Sequence, residues 1–308
     1  MIKKTMEKVL LDKQKKRNES REPTPNKYRV GNVGYLEENG DIWGTCHRQT
    51  MVRNMGLQAN NEFSLKAAFE AGFANEAYTK EVLPPSTEDY DEIIWEPEWE
   101  VSKQVGDILI EGHPDLGFKK DGKMYRGGEL KASCSPNSLA DPYLTDKPKP
   151  SQMIQAALYS YMTDIPFILH CATYTEPAPW LLTQFEKPFM KHRMREYLIT
   201  IENGDIVYEN EWGDKINSGK TIQGVLDYYL LCQELIEKKE LYKRPIWAEK
   251  SKPTRVPLRK TKAKKKAAIP CDYCHLRTAC DKYENNFDRW VEEVKVLEDK
   301  KLKKGLRL

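Results

Sequence analysis

The apolar positions change period along the chain. Residues 2–21 carry Ile2, Met6, Val9 and Leu10 on one side of a charged helical pattern, which Pro23 and Pro25 end. Residues 27–36 read as a short strand or an extended entry. A second helical pattern opens at Gly44-Thr45-Cys46-His47-Arg48, with Thr45 as the expected N-cap and Cys46 in the first turn. Residues 62–83 form a helix with apolar faces from Phe63, Ala67, Phe69, Phe73, Ala74 and Ala77, closed by Pro84-Pro85. Gly72 and Glu76 lie one turn apart on it.

From residue 92 the pattern becomes that of strands: Ile93-Ile94-Trp95, then Trp99 and Val101, then Ile108-Leu109-Ile110. The stretch Gly112–Lys131 reads as a β-hairpin, because Lys119-Lys120-Asp121-Gly122 is a turn signal between two extended runs. It completes a sheet of mostly antiparallel character. Side chains alternate faces along a strand, so Glu129 and Lys131 point the same way. Asp115, at the end of the first strand, would meet them across the ladder. Two carboxylates that close repel unless a cation sits between them, and hard oxygen ligands suit Mg²⁺ or Mn²⁺. A Lys beside such a metal orients a water or stabilises charge on a phosphate.

Residues 133–150 hold four Pro and read as a loop. Residues 151–163 are helical, with Gln155 and Tyr159 four apart on one face, and Phe167–Ala172 reads as a buried strand. Strand-like runs follow at 180–186 and 196–209, then an amphipathic helix over Thr221–Glu240, and a last helix over 284–301. Between those helices, Lys250–Lys266 carries nine basic residues, two Pro and no acid. That composition suits a solvated loop or an arm against phosphates. Ser218-Gly219-Lys220-Thr221 imitates the end of a phosphate-binding loop, but position 214 is Asp where that motif needs Gly. A helix start near Thr221 is the better reading.

Composition narrows the classes. The chain has 308 residues, 31% of them charged, yet a formal net charge of only +3, so any nucleic-acid surface must come from local segregation of charge. No apolar run approaches a membrane span, and the charged start holds no apolar signal core, so a cytoplasmic protein is expected. Seven Cys then suggest metal ligands or buried thiols ahead of disulfides. Cys271-x2-Cys274-x5-Cys280 places three soft ligands in one short segment. They want a fourth ligand, for which Cys46, His47 and His275 are candidates. Tetrahedral zinc and a four-thiolate iron–sulfur cluster both remain open. Cys134, Cys171 and Cys232 read as bystanders.

Taken in order, these motifs resemble the PD-(D/E)XK nucleases, in particular the RecB-like branch that carries a cysteine-bound iron–sulfur cluster. That branch includes CRISPR-associated nucleases and phage exonucleases. The resemblance runs through Cys46, Gly72 to Glu76, Asp115, Glu129-x-Lys131, Gln155-x3-Tyr159 and the terminal cysteines, from about residue 28 to 285. Glu76 stands where many relatives have His.

The resemblance implies an α/β fold. A central mixed β-sheet is flanked by helices, as in restriction endonucleases, and a C-terminal cysteine-rich segment closes on an N-terminal helix. It divides the chain into a charged helix (1–24), a nuclease domain (25–249), and a basic linker with the iron–sulfur segment (250–308). It implies phosphodiester hydrolysis by a stand-alone exonuclease on single-stranded DNA or DNA ends, in a bacterial or phage-infected cell. Partners would belong to recombination, CRISPR or phage replication, with no membrane. Asp115, Glu129, the Leu130 carbonyl and Glu76 would hold Mg²⁺ or Mn²⁺. Lys131 would place the water, and Gln155 and Tyr159 would hold the strand or orient Lys131. Cys46, Cys271, Cys274 and Cys280 would hold one [4Fe–4S] cluster. The alternative is a non-catalytic nucleic-acid-binding protein with a structural zinc or iron–sulfur site.

Overall fold

The computed structural model describes residues 25–57, 77–133, 147–173, 194–244, 274 and 276–305. Its strands in chain order are β1 (Lys27–Arg29), β2 (Gly34–Leu36), β3 (Ile42–Gly44), β4 (Glu92–Trp95), β5 (Val101–Val105), β6 (Ile108–Gly112), β7 (Leu116–Lys120), β8 (Lys123–Ser133), β9 (Phe167–Thr173), β10 (Met194–Glu202), β11 (Asp205–Glu209) and β12 (Lys215–Thr221). Its helices are α1 (His47–Asn54), α2 (Pro150–Thr163), α3 (Ile222–Lys238), α4 (Arg277–Lys282) and α5 (Phe287–Gly305). Residues 77–82 are also helical, the end of the helix expected over 62–83. The rest of that span, with Glu76, lies outside the described residues. So do the expected helix over 2–21, the strand at 180–186 and the basic run Lys250–Lys266. Among the described residues no helix is long and apolar enough to cross a membrane.

The protein is α/β, and its chain divides into two compact units. One draws on residues 1–27, 34–63 and 227–308, the other on 28–33 and 64–226. The second unit carries a seven-stranded sheet in the order β12-β11-β10-β9-β8-β7-β4. β8 and β9 pair in parallel and the other neighbours antiparallel, so the sheet is mixed. A parallel pair needs a crossover, and α2 supplies it between β8 and β9. Pro150 stands in the first turn of α2, and Asp164, at φ 57°, ends it in the left-handed region. Tyr159 of α2 stacks on Phe167 of β9 at 5.5 Å between ring centroids. Gly127 permits this packing: a Cβ there would lie 2.3 Å from the Phe167 ring.

The hairpin β7–β8 turns at Asp121 and Gly122, both at positive φ, as its turn signal predicts. Three differences from the sequence pattern have local causes. The strands β5 and β6 belong to a separate three-stranded sheet, β1-β6-β5, rather than to the hairpin's sheet. The run at 196–209 is two strands, because Asn203 and Gly204 take positive φ and fold β10 onto β11. Lys215–Thr221 is a strand, β12, that leads straight into α3. It contains the Ser218–Thr221 tetrapeptide, and the helix starts at Ile222, next to Thr221 as the sequence reading places it.

The first unit holds its own core. Val52 of α1, Leu276, Ala279 of α4, and Trp290 and Val294 of α5 are all buried together. Leu297 continues the same stripe on α5, at helical spacing. Full burial of a Val or Leu side chain contributes roughly 1.5–3 kcal/mol. The C-terminal segment thus closes on the helix that follows Cys46.

Candidate active site and cysteine centre

The register of the hairpin builds the first site. Leu116 pairs with Gly128, so one step further along the ladder Asp115 faces Glu129. Asp115 heads β7 rather than ending a strand, and this puts it far from the turn, beside the middle of β8. Its Oδ2 accepts the Leu130 N–H at 2.6 Å. Glu129 is 2% exposed, and its Oε1 pairs with Lys131 Nζ. Lys131 keeps about a quarter of its side chain exposed, at 24%. Lys131 is thus the more exposed partner of the pair and Glu129 the buried one.

The electrostatics of the group are set by burial and crowding. Burial raises the Asp115 carboxyl above its usual range, against the pull of Lys131 and the Leu130 N–H; the charge of Glu96 raises it further. Burial lowers the Lys131 ammonium, but Glu129 and then Asp115 more than reverse this, and the net shift is upward. Lys131 thus stays protonated at neutral pH. Two carboxylates with one ammonium, one of the carboxyls destabilised by burial, are complementary to a divalent cation, which would favour the ionised form of Asp115. The oxygen donors match a hard ion.

Other expected members fall in different places. Tyr159 is 3% exposed and its hydroxyl donates to the His113 carbonyl at 2.9 Å. It therefore anchors the chain two residues before Asp115. Gly112 makes room, since a Cβ there would lie 2.8 Å from the Tyr159 hydroxyl. Gln155 is half-buried on α2, and among the described residues its side chain makes no hydrogen bond. Leu130 is buried in β8 and contributes its N–H to Asp115. Glu76 lies outside the described residues.

Three residues that the sequence pattern does not assign to the site join the group. Glu96 donates its N–H to the Asp115 carbonyl at 3.1 Å, extending the β4–β7 ladder by one step. Lys80 Nζ donates to the Glu96 carbonyl at 3.0 Å and acts on Asp115 electrostatically. Cys171 pairs with Lys131 across β8 and β9. Burial pushes its thiol up to about 12, while Lys131 and Lys149 oppose the shift. A correct pairing of β4 with β7 was the signal needed to find Glu96; nothing local marks the others.

The second site is in the other unit. Cys46 is the N-cap of α1, the position expected for Thr45, and its carbonyl accepts the Gln49 N–H at 2.9 Å. Burial pushes the Cys46 thiol up to about 12. The Arg48 N–H works against this, and Cys280 and Cys274 lie close enough to add to it. Gln49 Nε2 donates to Cys274 Sγ at 3.2 Å. Arg244 holds the same segment, with Nη2 on the Cys280 carbonyl and Nη1 on Asp281. Three of the four expected cluster thiols therefore share one neighbourhood, and Cys271 lies outside the described residues.

His47 is fully buried, its ring edge-on to Tyr242 at 6.0 Å, and burial then Arg48 lower it to about 3. Cys232 of α3 is also fully buried, and its thiol is raised by burial and then by Cys46. It is nearer the centre than a bystander need be. Among the described residues no three His, Cys, Asp or Glu are arranged to hold a metal ion as they stand.

No family model matches the chain, and no curated protein matches it. Among solved structures, the crystal structure of SSO0001 is similar at 16% identity, over 76% of this chain and 88% of that one, with a TM-score of 0.42. A likeness of that size carries nothing about site or function.

Proposed function

We propose that the protein is a Mg²⁺- or Mn²⁺-dependent deoxyribonuclease of the PD-(D/E)XK type, an exonuclease acting on single-stranded DNA or DNA ends, with a structural [4Fe–4S] cluster. One observation carries the reading: Asp115, Glu129 and Lys131 converge, through the hydrogen bond of Asp115 to Leu130 and the ion pair of Lys131 with Glu129. A bound divalent ion would supply Lewis acidity toward a phosphate oxygen and an acidified water. Asp115 and Glu129, with Glu76, are the residues that would hold it.

The remaining roles follow from the side chains. Hydrolysis joins a water oxygen to phosphorus and breaks the bond to a deoxyribose oxygen; the water gives up a proton and the departing oxygen takes one up. Negative charge grows on the phosphoryl oxygens as this happens. Lys131 is charged and keeps about a quarter of its side chain exposed, at 24%, so it donates a hydrogen bond to water or phosphate and does not act as the base. Glu129 holds that ammonium in place. Tyr159 fixes the strand that presents Asp115, and the site acts by placement. The sulfur centre would use Cys46, Cys271, Cys274 and Cys280. The meeting of Cys46 with Cys274 and Cys280 supports it, because it brings together three of the four soft donors such a cluster would use.

The test is incubation of anaerobically purified protein with end-labelled single and double strands, in Mg²⁺, Mn²⁺ or chelator. Loss of label that requires the metal, and that Glu129→Ala removes, is the expected result. Tight DNA binding without any metal-dependent cleavage would favour a non-catalytic binding protein.

A further inference from the structure

We propose that Trp212 is a stacking platform for a base of single-stranded DNA, at the end of a track that leads from Lys131 across the sheet. The inference rests on the nuclease reading above for its substrate and narrows that substrate to a single strand. Register defines the track. Lys131 of β8 pairs with Cys171 of β9, and Cys171 pairs with Arg195 of β10, so the three share one face of the sheet. Trp212, just beyond the end of β11, lies against the last of them, with its ring centroid 4.9 Å from the Arg195 guanidinium carbon. Strands lie about 4.8 Å apart, so the backbone at Trp212 is three strand spacings, roughly 14 Å, from Lys131.

The turn that carries Trp212 holds an exposed ring still. The Asn210 side chain is buried, and its Oδ1 accepts the N–H of Trp212 at 3.1 Å and that of Asp214 at 2.9 Å. Asn210 Nδ2 donates to Asp214 Oδ2 at 3.1 Å, and Gly213 takes positive φ to close the turn. Glu211 accepts from Arg195 Nη1 at 3.1 Å and from the Glu196 N–H at 2.9 Å. That ion pair fixes a guanidinium only 1% exposed, which in turn supports one face of the indole. The ring still keeps 57% of its surface open. A lone exposed apolar residue is ordinary. A large one on a braced turn, however, loses little freedom when it meets a ligand.

The surroundings select the ligand. Lys131 and Lys149 both act on the Cys171 thiol, which places two ammonium groups about the middle of the track. Gln152 of α2 reaches the same place, where its Oε1 accepts from Cys171 Sγ at 3.8 Å. The acids along the row, Glu129 and Glu211, are already paired with Lys131 and Arg195, so Lys149 adds positive charge to a balanced row. A polyanion that carries aromatic bases fits this pattern: its phosphates follow the cations and a base stacks on the indole. In a duplex each base face is covered by its neighbours, so a single strand is the form that offers one to Trp212.

The experiment uses the full chain as wild type, Trp212→Ala and Trp212→Phe, with a fluorescein-labelled single-stranded oligonucleotide and the blunt duplex of the same sequence. Fluorescence anisotropy in chelator gives Kd without cleavage, reaction in Mg²⁺ gives kcat and KM, and thermal melting checks the fold. In Trp212→Ala, Kd and KM for the single strand should rise on the order of tenfold, with kcat and the duplex Kd little changed, and Trp212→Phe should recover most of the loss. An abasic site walked along the oligonucleotide should weaken wild-type binding at one position and leave Trp212→Ala indifferent there. An unchanged single-strand Kd in Trp212→Ala, a Phe variant as weak as the Ala one, or a loss shared equally by the duplex would overturn the proposal. Single-strand binding that depends on Trp212 without metal-dependent cleavage would sustain the platform and remove the nuclease reading. Cleavage with a Kd indifferent to Trp212 would do the reverse.

Discussion

Asp115 Oδ2 accepts the Leu130 N–H at 2.6 Å, which ties the head of β7 to the residue between Glu129 and Lys131. The bond delivers a carboxylate to a buried place where it is poorly solvated. An acid whose pKa is higher folded than unfolded stabilises the fold below its unfolded value, and loses that contribution as pH rises through the folded one. At neutral pH the charge of Asp115 is therefore a burden on the metal-free protein. Asp115→Asn is expected to raise the melting temperature in chelator, by roughly 2–4 °C per kcal/mol. Cleavage should fall on the order of a thousandfold or more. A lower melting temperature in chelator would contradict this account.

The Glu129–Lys131 pair makes a different prediction. Lys131→Met leaves the carboxylate of Glu129 buried without its ammonium, which costs about 3–5 kcal/mol. Adding Glu129→Gln to that variant should restore most of the loss, while cleavage stays absent in both single variants and in the double. Urea unfolding of the four proteins gives the coupling energy. Additive effects would mean that the two side chains do not depend on each other.

Tyr159→Phe removes only the hydroxyl that binds the His113 carbonyl. Stability should drop by about 1 kcal/mol. If the phenol serves by fixing the strand of Asp115, kcat falls several-fold, on the order of 3–10, with KM little changed. A rise in KM at constant kcat would put Tyr159 on the substrate instead.

His47 makes the first unit sensitive to acid. Burial, then Arg48, lower its pKa to about 3, so the neutral ring belongs to the folded state. The associated stability is complete above 6.5 and is lost as pH falls from 6.5 toward that value, by roughly 1.4 kcal/mol per pH unit. His47→Phe should flatten this part of the stability curve. Chemical denaturation of both proteins between pH 7.5 and 5.0 tests it, and parallel curves would show that His47 is not the titrating group.

The cysteines separate by role. Cys46→Ala is expected to lose iron, brown colour and stability together. Cys232→Ala should keep the colour, with a modest loss of stability for the small void it leaves. Cys232 is the stringent control because its thiol lies within reach of Cys46. Visible absorbance and iron per chain decide the matter; colour lost from Cys232→Ala would make it a ligand in place of one of the four.

By itself the sequence determined what is local. Pro150 and the apolar repeat of residues 151–163 specify α2, and Asp121-Gly122 specifies the turn of the hairpin. The two-residue period of a strand puts Glu129 and Lys131 on one face wherever that strand lies. These follow from covalent geometry and from residues within a few positions of one another. Register and partners are another matter. Asp115 heads β7 because Leu116 pairs with Gly128, and Glu96 reaches it only because β4 docks on β7. Tyr159 meets the His113 carbonyl because Gly112 leaves space and Phe167 supports its ring. Cys46 meets Cys274 and Cys280 through the core of Val52, Leu276 and Trp290. Such contacts are chosen by the burial of whole faces against each other, a property of the packed chain that no short window of sequence contains.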